Sequence, residues 1–297
     1  EWRETPVTLE FGPLPAAVDA AGANETVLVG SDAPVDETAL VDSRNVTITG
    51  VGTPTLTPSV TDTAVDVTTD ETTIEGITFA SEDADGATAV AVGADATGTE
   101  LREVTFTGTA EATWGRAVAD AGTDTTIRYA TIRGVKYGVY ATGADLAVID
   151  SDIRDSENAT ERVAGASNVT IRNTNLIANT RGVFATAGSH VLAESNLERN
   201  DAAIQTIGTE AEVFIDAPEN WWGSAAGPVV FEEVEGIDKA EADILSNVEF
   251  PERQTEPYRT AEFTLPDTAL TAAEGPVDET LTVDVDVTND GGVAGSS

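Results

Sequence analysis

Cysteine and methionine are absent from the 297 residues, histidine occurs once, as His190, and lysine twice, as Lys136 and Lys239. Without cysteine there is no disulfide framework, no thiol nucleophile and no cysteine-ligated metal. One histidine with no second imidazole or thiolate excludes an ordinary zinc or copper site. No metal and no resident cofactor is therefore expected. No run approaches the roughly 18 apolar residues that a membrane span needs. With no methionine at its start, the chain is expected to be a mature form or a fragment of something longer. Basic residues are scarce too: 15 Lys and Arg stand against 53 Asp and Glu, a net charge of -38. The acids read as spread along the whole chain, which disfavours nucleic acid and anionic lipid as partners. The small basic patch of Arg128, Arg133 and Lys136 does not reverse that. Such a charge repels itself at low salt and is tolerable in molar salt, where the screening length is about 3 Å.

What is present is a repeat. Six copies run Ile74-Glu-Gly-Ile-Thr-Phe79, Leu101-Arg-Glu-Val-Thr-Phe106, Ile127-Arg-Tyr-Ala-Thr-Ile132, Val148-Ile-Asp-Ser-Asp-Ile153, Ile171-Arg-Asn-Thr-Asn-Leu176 and Leu192-Ala-Glu-Ser-Asn-Leu197. Their last residues are 27, 26, 21, 23 and 21 positions apart. A period in the low twenties with strand-forming residues marks a solenoid, because each unit has an apolar side that only its neighbour can cover. The fold class is all-β, a parallel β-helix. The first and last residues of each copy must face the lumen, as must Ile77, Val104, Ala130, Ser151, Thr174 and Ser195. The offset of three between inward columns breaks strand alternation and places a corner inside each copy. A second strand per coil is read at Arg116-Ala-Val118, Gly138-Val-Tyr140, Gly182-Val-Phe184 and Ala203-Ile204, with Asn158-Ala-Thr160 among the loops.

Residues 1–23 read as an N-terminal cap containing a short helix over Leu14–Ala21, and 24–251 as the solenoid. The run Ala16-Ala-Val-Asp-Ala-Ala21, then Glu25-Thr-Val-Leu-Val-Gly30, then Val46-Thr-Ile-Thr-Gly-Val-Gly52 resembles the opening of right-handed parallel β-helix proteins of the pectin-lyase-like superfamily. That resemblance implies that the helix plugs the open end of the coil and hides its strand edges. Asn220-Trp-Trp-Gly-Ser224 followed by Gly227-Pro228 is similar to the terminal motif of NosD-type repeats and of archaeal surface proteins. The acid-rich, lysine-poor composition likewise resembles that of proteins from salt-loving archaea. Residues 252–260 read as a linker, and 261–297 as a partial, truncated β-sandwich: Leu281-Thr-Val-Asp-Val-Asp-Val287 resembles the first strands of CARDB-like Ig-fold modules.

Three successive coils bring together Asp150 with Asp152, Asn173 with Asn175, and Glu194 with Asn196. Asp150 and Glu194, two coils apart, stand roughly 9–10 Å from each other, near the separation of an inverting glycosidase pair. Asp150, Asp152 and Glu194 are the candidate catalytic residues, but the Asn-Thr-Asp, Asp-Asp and Gly-His-Gly motifs of polygalacturonases are missing. A lyase would need Ca²⁺ on Asp150 and Asp152 beside a basic arginine. Candidate substrate-binding residues are Arg172, Asn173, Asn175, Trp221 and Trp222, the two indoles alternatively closing the last coil. His190 shares the phase of an inward column and reads as structural. Four sequons, at Asn24, Asn45, Asn158 and Asn168, suit an exported protein, with Asn158 the expected acceptor. The expectation is an extracellular or cell-surface module, structural or adhesive, partnered by polysaccharide or other envelope components. The alternative is a polysaccharide lyase or glycoside hydrolase acting on an acidic glycan.

Overall fold

The computed structural model describes residues 7–8, 13–30, 33–35, 37–58, 63–81, 87–108, 115–162, 167–206, 213–226, 228, 230–231, 244–245, 248–249, 263–264 and 288–289. They form a parallel β-helix with three faces. One coil shows the plan: Ala144–Ile149 lies on the first face, Asp152–Arg154 on the second and Asn158–Arg162 on the third. The faces carry 11, 7 and 10 strands, each hydrogen-bonded in parallel to the equivalent strand one coil away. Stacking coils turns sequence columns into physical ones: Ile127 pairs with Val148, Val148 with Ile171 and Ile171 with Leu192. The expected lumen columns are buried, and Phe79 stacks on Phe106 at 5.2 Å between ring centroids. The helix among the described residues, Leu14–Ala20, begins after Pro13, buries Leu14, Ala17 and Val18, and packs against Thr26–Val29 of the first face and Ala39–Val41 of the third. At the other end Val248–Glu249 joins the first face beside Ile215–Asp216. Of the expected linker and CARDB-like segment, Phe263–Thr264 pairs antiparallel with Thr288–Asn289, and the remainder lies outside the described residues.

The corner between the first and second faces is made by one residue in the left-handed region: Gly76, Glu103, Tyr129, Asp150, Asn173, Glu194 and Glu219 in successive coils. The chain then turns a buried residue inward, and that residue's backbone N–H points away from the sheet ladder. A buried N–H left alone is costly. The next coil supplies its acceptor. Ala130 N–H donates to Ser151 Oγ (3.1 Å), Thr174 N–H to Ser195 Oγ (3.1 Å) and Ser195 N–H to Asn220 Oδ1 (2.9 Å). Each hydroxyl in turn donates to the carbonyl two residues before it: Ser151 to Ile149 (2.8 Å), Thr174 to Arg172 (2.9 Å), Ser195 to Ala193 (2.8 Å). Asn220 closes the column by donating from Nδ2 to Leu192 O at 2.6 Å.

The corner between the second and third faces repeats the device. Gly134, Asp155, Ala178 and Arg199 are left-handed there. Ser156 N–H donates to Asn179 Oδ1 (3.0 Å) and Asn179 N–H to Asn200 Oδ1 (2.9 Å). The amide nitrogens reach back to Ile153 O and Leu176 O.

Two predictions follow from these corners. Asn220→Leu strands the Ser195 N–H and the Leu192 carbonyl, and should cost about 2–4 kcal/mol in denaturant unfolding at high salt. Tyr129 is 53% exposed with φ of 53°, so it bears the left-handed penalty with little packing in return. Tyr129→Asn should therefore raise stability by about 1 kcal/mol in the same assay.

Candidate functional site

The residues that suggested catalysis belong to the first corner. Asp150, Asn173 and Glu194 are its left-handed positions in three successive coils. Asp and Asn are the side chains that best tolerate this conformation, so their recurrence has a backbone cause. Some of their polar atoms are engaged within the ladder: Asn173 Nδ2 donates to Asp150 Oδ1, and Glu194 pairs with Arg172 at 3.4 Å, while Asn173 Oδ1 is buried with no partner among the described residues. Asp152 sits between two guanidiniums, Arg154 at 2.5 Å and Arg133 at 3.3 Å. Asn175 Oδ1 accepts from Asn196 at 2.6 Å. The structure thus gathers Asp150, Asp152, Arg172, Asn173, Asn175 and Glu194 on one edge, as paired surface groups. Among the described residues, no group of three or more His, Asp or Glu side chains is placed to hold a metal ion.

The tryptophans depart from the sugar-stacking expectation. Trp222 is 3% exposed and joins the core, while Trp221 is 9% exposed and donates from Nε1 to Glu198. Neither indole offers a free face, because the last coils need large apolar bodies to close the lumen. Asn158 is corrected as well. It begins a third-face strand, is 2% exposed, donates from Nδ2 to Glu161 (2.5 Å) and accepts from Arg181 (3.0 Å). It lies in no loop, and its amide is engaged in the folded chain. Asn24, Asn45 and Asn168 are exposed left-handed corner residues, with Asn45 donating to Asn24 and Asn168 to Asp145. His190 is buried; its Nδ1 accepts from the Val169 N–H, and Nε2 lies 2.7 Å from Ala187 O.

The third face holds the group that sequence reasoning passed over. Its strands share one pattern, read in Arg116-Ala-Val-Ala, Tyr137-Gly-Val-Tyr, Asn158-Ala-Thr-Glu, Arg181-Gly-Val-Phe and Ala202-Ala-Ile-Gln. The second position is always small because neighbouring backbones close on it: a Cβ on Gly138 would meet Ala159 O at 2.4 Å, and one on Gly182 would meet Ala203 O at 2.5 Å. The second and third residues both turn inward, so the first and fourth both face out. Register then stacks Arg116, Tyr137, Asn158 and Arg181 in one column and Ala119, Tyr140, Glu161, Phe184 and Gln205 in the next. Arg116 lies over Tyr140 (4.3 Å to the ring centroid) and Tyr137 (5.8 Å), Lys136 over Tyr137 (5.2 Å), and Arg181 over Phe184 (5.2 Å). Arg181 also donates to Gln205 (2.6 Å) and Asn158. The result is a half-exposed surface of aromatic rings edged by guanidinium and carboxylate groups, while the Asn158 and Gln205 amides are buried. The alternating R/Y/N/R and Y/E/F/Q columns were present in the sequence. They emerge once two consecutive inward residues are allowed in a strand.

Residues 116–211 match the family model described as the right handed beta helix region. The fold is also similar to that of the pectin methylesterase from Aspergillus niger, at 15% identity over 84% of this chain and 92% of that one, with a TM-score of 0.57. Pectate lyase Pel9A superposes over 95% of this chain and 88% of its own, at 11% identity and a TM-score of 0.50. No curated protein sequence matches the chain. Together these likenesses establish a right-handed β-helix of the pectin-lyase-like fold.

The first face carries its own charge ladder. The Arg102 guanidinium, hydrogen-bonded to Glu75 one coil below, holds that carboxyl below the usual carboxylate range, and Glu75 raises Arg102 in turn. A depressed carboxyl contributes stability above its unfolded value, about 4.3, and loses it as pH falls through the folded one. Arg102→Gln should therefore cost about 0.5 kcal/mol near neutrality, the scale of an exposed pair. The gap from the unmodified chain should close in acid unfolding curves below the ordinary glutamate range.

Proposed function

We propose that this chain is an exported, cell-surface structural and adhesive module of a halophilic archaeon, of the NosD-like type, that binds polysaccharide on its third face. The observation that carries the reading is the outward pair of columns in which Tyr137, Tyr140 and Phe184 stand half-exposed beside Arg116, Glu161 and Arg181. Sugar rings offer apolar C–H faces and a rim of hydroxyls. Aromatic faces suit the first, and carboxylate and guanidinium groups the second. The rigid coil holds these groups in place before binding, so little ordering entropy is lost on association. A pectin methylesterase and a pectate lyase share the fold, which makes a carbohydrate ligand consistent with the architecture. The carboxylates that a hydrolase or lyase would use are engaged in corner bonds and ion pairs, which supports binding over turnover. No described helix is long and apolar enough to cross a membrane.

The test is binding and turnover against a panel of acidic and neutral polysaccharides in molar salt with Ca²⁺. Tyr140→Ala and Phe184→Ala should each weaken binding about tenfold or more, as loss of an aromatic platform does, with the circular-dichroism spectrum unchanged. Asp150→Asn and Glu194→Gln should leave binding as it was. Release of reducing or unsaturated ends that disappears in Asp150→Asn or Asp152→Asn would replace this reading with that of an enzyme.

A further inference from the structure

The chain places its one imidazole inside the coil. His190 is buried, and register pairs it with Val169 on the preceding coil and Ile215 on the following one. Asn168 is the left-handed residue of the third corner in its coil, with φ of 57°, and Val169 is the buried residue that follows it. The Val169 N–H therefore meets the same demand as the N–H groups of Ala130, Thr174 and Ser195 at the first corner. Those donate to a hydroxyl or amide oxygen of the next coil. Here the next coil answers with a ring nitrogen: Val169 N–H donates to His190 Nδ1 at 3.3 Å.

The two ring contacts together assign the proton. Nε2 lies 2.7 Å from the Ala187 carbonyl oxygen, which can only accept, so Nε2 carries the hydrogen. Nδ1 faces a donor and presents its lone pair. Only the neutral ring satisfies both contacts. A second proton would sit on Nδ1 and oppose one donor to another, stranding the buried Val169 N–H. The serine, threonine and asparagine oxygens at the other corners have no protonation state near neutrality that removes them as acceptors. An unperturbed imidazole changes charge between about pH 5 and 8.

His190 also borders a hollow in the lumen, whose wall includes Val139, Leu146, Ile171, Val183 and Leu192. A cation placed there gives up hydration for apolar contact. The ionisable groups on the strands around the hollow stand as follows. On the first face Asp145 and Arg172 are exposed, Asp145 accepting from Asn168 and Arg172 pairing with Glu194, and Asp216 is half-buried. On the third face Tyr137, Tyr140 and Arg181 turn outward, and Glu161, whose strand forms part of the wall, accepts from Asn158 Nδ2. Arg162 follows in register with Ala141 and Ala185.

We infer that His190 is an acid-released latch on the third corner. Neutral, it fastens the coil of Val169 to its own; protonated on Nδ1, it lets the Val169 N–H go and loosens the register of these two coils. The inference is independent of the glycan reading. Unfolding opens Nδ1 to solvent, so below the unfolded imidazole's value, about 6.5, the unfolded chain binds more protons than the folded one. The latch's contribution to stability is thus full above that value and declines as pH falls below it.

The experiment is ¹⁵N NMR of the full chain in molar KCl, where a single histidine gives one pair of ring signals, with denaturant unfolding between about pH 5.5 and 7.5. At neutral pH the ring should show Nδ1 bare and Nε2 protonated, and the Val169 amide should be protected from exchange. As pH falls through the window the unfolding constant should rise by up to about tenfold per pH unit, the limit for one proton. His190→Asn offers an amide oxygen to the Val169 N–H, as Asn220 does to Ser195, and should flatten that rise. Equal pH slopes for His190→Asn and the unmodified chain would overturn the latch, as would a ring protonated on Nδ1 at neutral pH. Should His190→Asn fail to fold, the unmodified chain still decides: a Val169 protection factor that ignores the ring's protonation would overturn it.

Discussion

From Ala130 to Asn220 the coils depend on how a buried N–H at two of the three corners finds an acceptor. Within a face, every backbone group pairs with the coil above or below, and stacking alone satisfies it. At a corner the chain leaves the ladder, and the first residue past the turn points its N–H into the interior. Ser151, Thr174, Ser195 and Asn220 at one corner, and Asn179 and Asn200 at the other, meet that demand from the following coil. The arrangement works only if neighbouring coils turn at the same place. It therefore ties the register of one coil to that of the next, and pins the apolar lumen columns with it.

The same constraint explains a surface that looks catalytic. A one-residue left-handed corner favours Gly, Asn and Asp, and stacking repeats the choice coil after coil. Asp150 and Asn173 thus suit the backbone geometry of this edge, while Glu194, in the same left-handed column, is held by its pairing with Arg172. Sequon asparagines have the same origin at the third corner, where Asn24, Asn45 and Asn168 share a column with Asp124 and Asp145. In a β-helix, recurrent acids and amides at coil spacing are first a statement about turns. Chemistry must be argued from side chains that the turns do not require.

That distinction also sets what could be read from residues alone. The period and the lumen columns, including Ile77, Val104, Ala130, Ser151, Thr174 and Ser195, were legible, because burial imposes a repeat at every copy. The third face was legible only as short runs such as Gly138-Val-Tyr140. Its strands turn two successive residues inward, Ala117 with Val118 and Gly182 with Val183, so a strict alternation of two assigns the flanking residues to the wrong sides. Asn158 read as a loop for that reason, although register places it between Tyr137 and Arg181. The tryptophans carried two readings, sugar stacking and closure of the last coil, and their burial agrees with the second.

The two uses of arginine carry the argument from fold to function. On the first face each arginine is balanced by a glutamate one coil away, as in Arg102 with Glu75 and Arg128 with Glu100, and such exposed pairs contribute little individually. They neutralise the ladder where identical charges would otherwise stack at about 4.8 Å. On the third face the arginines stack on aromatic rings and amides, an arrangement that does nothing to offset the surplus of acids. Solubility in salt cannot account for it, since acidic residues serve that end. Nor can lumen packing, since Tyr137, Tyr140 and Phe184 face away from the core. Corner geometry and ion pairing account for the first-corner acids and the first-face arginines but not for this face, and the proposed glycan is the ligand that would account for it.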